Sequence, residues 1–371
     1  MKSKGSWQKR GWFKVNTSQQ KIKVLVVDDS AFMRKVISDI LSSDDNIEVV
    51  GTARNGKDGI EKAQLLKPHV ITLDVEMPVM DGITALEKLQ KLDPAPKVIM
   101  LSSLTNNGGE ATIKALEVGA IDFVLKPTSS IVHFNINDIK EDLIKKVKNA
   151  VTSNLLRYIE HDIVPKRIKT EPKRKTQFQG DLKYIIAIGI STGGPRALQE
   201  VIPYLPANIP AAVLIVQHMP PGFTKSLASR LDGLSEINVK EAENGDVLKP
   251  GWAYLAPGDY HMSVSNDSRE FYININQELP MTGHRPSVNY MMNSVADCGH
   301  KNLIAVIMTG MGSDGSIGIE KIKTAGGNTI AQNEETCVVY GMPKSAVATG
   351  AIDKIVPLND IAKEIIKFTE V

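Results

Sequence analysis

The chain has 371 residues, and 44 lysines and arginines against 42 aspartates and glutamates leave a formal net charge of +2. That balance excludes a strongly basic, nucleic-acid-binding surface spread over the whole molecule, while a 42% hydrophobic content is enough for two cores and predicts two domains. The only two cysteines, Cys298 and Cys337, exclude a disulfide framework and a four-cysteine zinc site, and read as buried small hydrophobes in a reducing compartment.

Residues 1–20, MKSKGSWQKRGWFKVNTSQQ, read as a basic, disordered extension in which Trp7 and Trp12 are solvated. It has no apolar run of signal-peptide length, and no later segment approaches a membrane span. The expectation is a monomeric, cytoplasmic protein with no membrane insertion and no nucleic-acid partner.

The first domain is expected over 21–155. IKVLVVDD at 22–29 is a continuous apolar run ending in two aspartates, the pattern of a strand buried on both faces of a parallel sheet. Similar strands follow at 48–53, 70–75, 97–102 and 122–127, alternating with helical patterns, and predict a doubly wound α/β domain of five βα repeats. Asp28 and Asp29 end the first strand and Asp74 ends the third, so three carboxylates converge on one crevice. Such a cluster needs a cation, and hard oxygen ligands with room for water suit Mg²⁺. Ser102 and Lys126, at the ends of the fourth and fifth strands, add a hydroxyl and a positive charge able to receive a new anion. A carboxylate that accepts a phosphoryl group beside a cation and a lysine is the economical reading.

Residues 22–127 thereby resemble the receiver domain of bacterial response regulators. The resemblance implies phosphorylation of Asp74 by a histidine kinase acting as phosphodonor, with Mg²⁺ held by Asp29 and Asp74, Asp28 in support and the backbone carbonyl of Glu76 as a further ligand. It makes Ser102 and Lys126 the residues that follow the new phosphate.

Residues 156–182, basic, proline-bearing and poor in aromatics, read as a linker. A second domain is expected over 183–371, with buried strands at 184–190, 211–217, 303–310 and 327–332, and with 245–264 and 269–275 as a small antiparallel excursion beside the main parallel sheet. Gly189, Ser191 and Gly193 form a G-x-S-x-G arrangement between a strand and a helix, the context of a nucleophile elbow. A phosphate-cradling loop is the rival, but the Walker lysine is missing and GISTGGP is not G-x-G-x-x-G. His218 follows the next strand directly, and Asp314 lies in the loop after a third. All three therefore sit at carboxyl ends of strands, supplying a hydroxyl, a base and a carboxylate to orient the base. Asp259, His261, His284 and His300 compete for the last two roles, and no H-E-x-x-H spacing points to zinc.

The motifs STGGP, QHMPPGF, LAPGDYHM, TGHRPSVN, TGMGSDG and CVVYGMP in residues 184–370 resemble the catalytic domain of the chemotaxis methylesterases, the CheB family. That resemblance implies a triad of Ser191, His218 and Asp314, and oxyanion donors in the backbone near Thr192 and Met311. It implies hydrolysis of glutamyl methyl esters and deamidation of glutamines on chemoreceptors, with no cofactor for hydrolysis. A receiver joined to such a domain is expected to cover the Ser191 crevice until phosphorylated. A DNA-binding response regulator would need a helix-turn-helix where the sequence has a strand-rich domain, and a silent adaptor would not need the triad.

Overall fold

The computed structural model of the chain describes residues 21–103, 106–126, 136–152, 180–267 and 270–370. The extension with Trp7 and Trp12, and the expected linker apart from residues 180–182, lie outside them.

The first domain is a five-stranded parallel sheet with helices on both faces. Its strands are β1 (Ile22–Val27), β2 (Ile47–Ala53), β3 (Val70–Asp74), β4 (Lys97–Ser102) and β5 (Asp122–Leu125), in the order β2-β1-β3-β4-β5. The helices are α1 (Ala31–Ser42), α2 (Gly56–Leu66), α3 (Gly82–Leu89), α4 (Asn106–Val118) and α5 (Ile136–Thr152). Three start at capping side chains: Ser30 accepts from the N–H of Met33, Asn55 from Asp58 and Asp81 from Thr84. Val24 to Val27 are fully buried, which a strand covered on both faces requires. Strand order reverses between β1 and β3, so a crevice opens where Asp28 and Asp74 emerge.

The second domain is a seven-stranded, all-parallel sheet with the order β14-β13-β12-β6-β7-β9-β8. Its strands are β6 (Tyr184–Ile190), β7 (Ala211–Gln217), β8 (Asn238–Glu241), β9 (Trp252–Leu255), β12 (Leu303–Ile307), β13 (Asn328–Gln332) and β14 (Lys354–Val356). Its helices are α6 (Gly194–Gln199), α7 (Phe223–Leu234), α8 (Val288–Asp297), α9 (Ser316–Thr324), α10 (Met342–Ala348) and α11 (Leu358–Thr369). The antiparallel excursion is one hairpin, β10 (His261–Asn266) with β11 (Phe271–Asn276). Trp252–Leu255, expected within that excursion, instead pairs in parallel with β7 and β8. Four residues are too few for periodicity to separate the two arrangements, and only packing against β7 decides. Both cysteines are free and buried, and among the described residues no helix is long and apolar enough to cross a membrane.

The two domains pack together through α4, β5 and α5 of the first. Phe123 and Phe223 stack across the joint with ring centroids 4.6 Å apart. Arg230 grips Glu117 with two N–H donors at 2.6 and 3.1 Å, and Gln199 donates to the same carboxylate at 2.9 Å. Val338 joins the apolar cluster of Ile139, Leu143 and Val147. The Thr192 hydroxyl donates to Asp122 at 2.8 Å.

Close approach explains one glycine near the first crevice. A methyl at Gly82 would lie 2.0 Å from the backbone oxygen of Asp74, where no side chain can yield. Gly82→Ala is expected to destabilise the first domain by about 2–4 kcal/mol. Urea unfolding would read this, and an unchanged midpoint would contradict the close approach.

Candidate active site

Ser191 follows β6, His218 follows β7 and Asp314 lies in the loop after β12. These are three adjacent strands of the second sheet, and its order reverses at β6. The turn carrying Ser191 is tight. Gly310 passes so close that a methyl there would sit 2.8 Å from the Ser191 Cβ, and Gly193 has φ +79°, a conformation other residues rarely adopt. Ile190, bulkier than an elbow asks for, is buried in the core beneath the turn.

His218 Nε2 lies 2.9 Å from Asp314 Oδ2. Asp314 is buried at the N-terminus of α8, where its carboxylate accepts from Val288 N at 2.7 Å, Asn289 N at 3.0 Å and the Ser287 hydroxyl at 2.9 Å. Burial alone would raise its pKa. The bond from His218 and the α8 donors outweigh burial and hold the carboxyl well below the usual range. A permanently ionised Asp314 accepts the Nε2 proton, so the lone pair of His218 resides on Nδ1. That atom is buried and has no hydrogen-bond partner among the described residues. No hydrogen bond joins it to the Ser191 hydroxyl in this state of the chain, a looseness common before substrate binds.

Gln217, which the sequence reading passed over, bonds both partners. Its amide donates to the carbonyls of Ser191 at 3.1 Å and His218 at 3.3 Å. Thr309 adds a bond to the Thr192 carbonyl at 3.0 Å. Ser287 was equally unremarked, although TGHRPSVN contains it and QHMPPGF contains Gln217. Among the described residues, neither the Thr192 nor the Met311 N–H donates a hydrogen bond. Both are free to receive a developing negative charge.

The competing candidates divide. His261 is buried, accepting from Ser287 N and facing the Leu279 carbonyl. Asp259 is bound to Arg285, and His300 packs edge-on against Phe271. His284 alone reaches the site, with its ring stacked on His218 at 4.0 Å. His218, His284 and Asp314 offer ligand atoms within 4.8 Å of one another, yet parallel stacked imidazoles aim their lone pairs side by side rather than at a shared point. The Asp314 oxygens are already engaged by protein donors, so the set is a poor fit for a metal ion.

In the first domain, Asp28, Asp29 and Asp74 bring ligand atoms within 4.8 Å of one another, a donor set that fits Mg²⁺. Lys126 bridges Asp28 at 2.8 Å and Asp74 at 2.7 Å. Arg34, another residue the sequence did not single out, donates to the carbonyls of Asp28 and Asp29. Burial raises the Asp74 pKa to about 6, with Lys126 opposing and the Asp28 charge adding to the rise. Glu76 donates its N–H to Asp74 at 3.4 Å. The Ser102 hydroxyl is buried, 2.8 Å from that of Thr112 on α4.

The response regulator receiver domain family matches residues 24–133, and the CheB methylesterase family matches residues 186–365. A protein-glutamate methylesterase/protein-glutamine glutaminase of Syntrophomonas wolfei is 48% identical over 93% of this chain and 98% of its own length. A protein of the same description from Pyrococcus abyssi is 48% identical over 95% of this chain and 94% of its own. The crystal structure of the Thermotoga maritima CheB methylesterase catalytic domain is 46% identical, covering 51% of this chain and 99% of that one with a TM-score of 0.49.

A proton on Asp74 competes with a cation. Mg²⁺ affinity is expected to be flat above pH 7 and to fall about tenfold per pH unit below 6. Isothermal titration of Mg²⁺ into the full chain reads this, and Asp74→Asn should weaken binding and remove the pH dependence. Equal affinity at pH 5 and pH 8 in the unaltered chain would exclude Asp74 as a ligand.

Proposed function

The chain belongs to the CheB methylesterase family, and from that premise we propose that it is a phosphorylation-controlled serine hydrolase. It releases methanol from glutamyl methyl esters of chemoreceptors and deamidates receptor glutamines during chemotactic adaptation. The observation that carries the hydrolytic half is the buried His218–Asp314 pair beside Ser191, with the acceptor nitrogen of His218 left unpaired. The organisation proposed is an extension at 1–20, a receiver over 21–155, a linker over 156–182 and a catalytic domain over 183–371, acting in the cytoplasm.

In the reaction, His218 Nδ1 takes the proton of Ser191 as Oγ attacks the γ-carbonyl. The carbonyl oxygen becomes an oxyanion facing the N–H groups of Thr192 and Met311. Asp314 keeps Nε2 protonated and offsets the imidazolium charge. The Nδ1 proton passes to the leaving oxygen or nitrogen as methanol or ammonia departs. Water, deprotonated by the same nitrogen, then cleaves the acyl-serine to glutamate.

Control is assigned to the receiver. A histidine kinase is the phosphodonor and Asp74 the acceptor; Asp28, Asp29, Asp74 and the carbonyl of Glu76 would hold Mg²⁺, which would supply charge neutralisation for the phosphoryl group. What supports inhibition is that receiver side chains touch the side chains of both residues whose backbone N–H groups would hold the oxyanion. Asp122 accepts from the Thr192 hydroxyl, and Asn149 of α5 contacts the Met311 sulfur. A route for release is also present. A phosphate on Asp74, drawing Lys126 and the Ser102 hydroxyl, would take Ser102 from Thr112 on α4. That same helix carries Glu117, which Arg230 and Gln199 grip.

The test is methanol release from radiomethylated receptor membranes, with and without a small phosphodonor. Ser191→Ala is expected to abolish it, and Asp74→Asn to keep the basal rate while losing the stimulation. Release that survives Ser191→Ala would refute the assignment. Asp122→Ala, which releases the Thr192 hydroxyl from the receiver, is expected to raise the basal rate several-fold without phosphodonor. A basal rate unmoved by Asp122→Ala and by Glu117→Ala together would argue against inhibition through this contact.

A further inference from the structure

We propose that His284 is a positioning residue, whose imidazole lies face to face on His218 and fixes the plane of that ring. The inference rests on the reading of Ser191, His218 and Asp314 as a hydrolytic triad. The two ring centroids are 4.0 Å apart and the planes 13° from parallel. A need for such a contact follows from the hydrogen bonds. His218 is bonded through Nε2 alone, and one hydrogen bond fixes a point and a direction but leaves the ring free to rotate about its axis. That rotation would carry Nδ1 away from the Ser191 hydroxyl. A flat surface against the ring stops it.

The segment that presents His284 is built for rigidity. Met281 and His284 exchange two backbone hydrogen bonds of 3.2 and 3.0 Å around Thr282 and Gly283, both with positive φ, 54° and +79°. These are the conformations of a tight two-residue hairpin turn. Thr282 adopts its own against the usual preference of a β-branched residue. Arg285 then bolts the turn down. Its guanidinium donates to Asp259 Oδ1 at 2.6 and 3.1 Å and to the carbonyls of Gln277 and Glu278 at 3.2 and 3.1 Å. Asp259, a sequence candidate for the orienting carboxylate, thus acts on the base only through Arg285 and the turn.

The electrostatics suit a ring that supports without exchanging protons. His284 Nδ1 faces the Thr282 carbonyl at 2.9 Å and donates its proton there. Burial first, and the neighbouring His218 second, lower its pKa to about 4, with Asp314 opposing and Lys145 of the receiver reinforcing. Arg285, next to it in the chain, is paired with Asp259 from the turn before β10. A neutral ring presents its π face to the imidazolium that His218 becomes, an attractive arrangement. A charged one would repel it.

The experiment compares His284→Phe, which keeps a flat aromatic face, with His284→Leu, which keeps bulk without one. Both are made in the full chain and assayed with acetyl phosphate and Mg²⁺. Two readouts are taken from pH 6 to 9: kcat for methanol release, and the rate at which a phosphonofluoridate labels Ser191. The phenylalanine variant is expected within about threefold of the unaltered chain, with a superimposable pH profile. The leucine variant should lose about 10–100-fold in kcat and in labelling rate, with KM little changed. Equal loss in both variants would mean that the imidazole itself carries a proton and would overturn the proposal, as would full activity in both. A folded but inactive phenylalanine variant overturns it alone, whatever the leucine variant does to folding. Because labelling needs no particular ester, labelling in this order without methanol release would leave the proposal standing and count against the substrate reading instead.

Discussion

The pair formed by His218 and Asp314 is the constraint from which the second domain's chemistry follows. A buried carboxylate is costly unless donors replace the water it loses. Here three groups at the start of α8 do so, and the fourth donor is the imidazole itself. His218 and the helix terminus together hold Asp314 ionised, and Asp314 settles the tautomer of His218. The only acceptor left on the ring is Nδ1. Other groups gather around it: Gln217 bonds the backbone carbonyls of Ser191 and His218, and His284 lies on the ring face.

Both domains place their chemistry by the same topological rule, at the carboxyl ends of parallel strands where strand order reverses. Their electrostatics are opposite. The receiver pocket gathers three carboxylates under one lysine, so it is poised for a divalent cation and a transferable phosphoryl group. The second crevice holds one stabilised carboxylate beside a serine and two imidazoles, groups between which a proton can move.

The two domains meet at a mixed joint. It combines an apolar stack, Phe123 on Phe223, with polar contacts that end at the crevice, Asp122 on Thr192 and Asn149 on Met311. Apolar burial gives such a joint adhesion, while the polar contacts set its register and are the more easily exchanged. Surface ion pairs are worth little singly, so the grip of Arg230 and Gln199 on Glu117 matters for where α4 sits more than for how tightly the domains adhere.

Strands buried on both faces are continuous apolar runs, and for that reason β1, β3, β4, β6, β7 and β12 were legible as elements in the chain itself. The acids and the hydroxyl at their ends could be assigned to crevices because a parallel sheet sends all its carboxyl ends to one edge. Asp74, Ser191, His218 and Asp314 were nominated by that reasoning alone. Short strands were not legible: Trp252–Leu255 needed β7 beside it to show its direction. Nor were Gln217, Ser287, Arg34 and the stacking of His284. A polar side chain that works by bonding a distant backbone carries no local periodicity, and the partner that defines its role is far away along the chain. The sequence by itself nominated the candidate groups, Asp74, Ser191, His218 and Asp314. Only the tertiary structure decided which nitrogen of His218 is unpaired, which ring lies against it and which receiver residues touch Thr192 and Met311, because those are matters of contact between segments that composition and spacing do not encode.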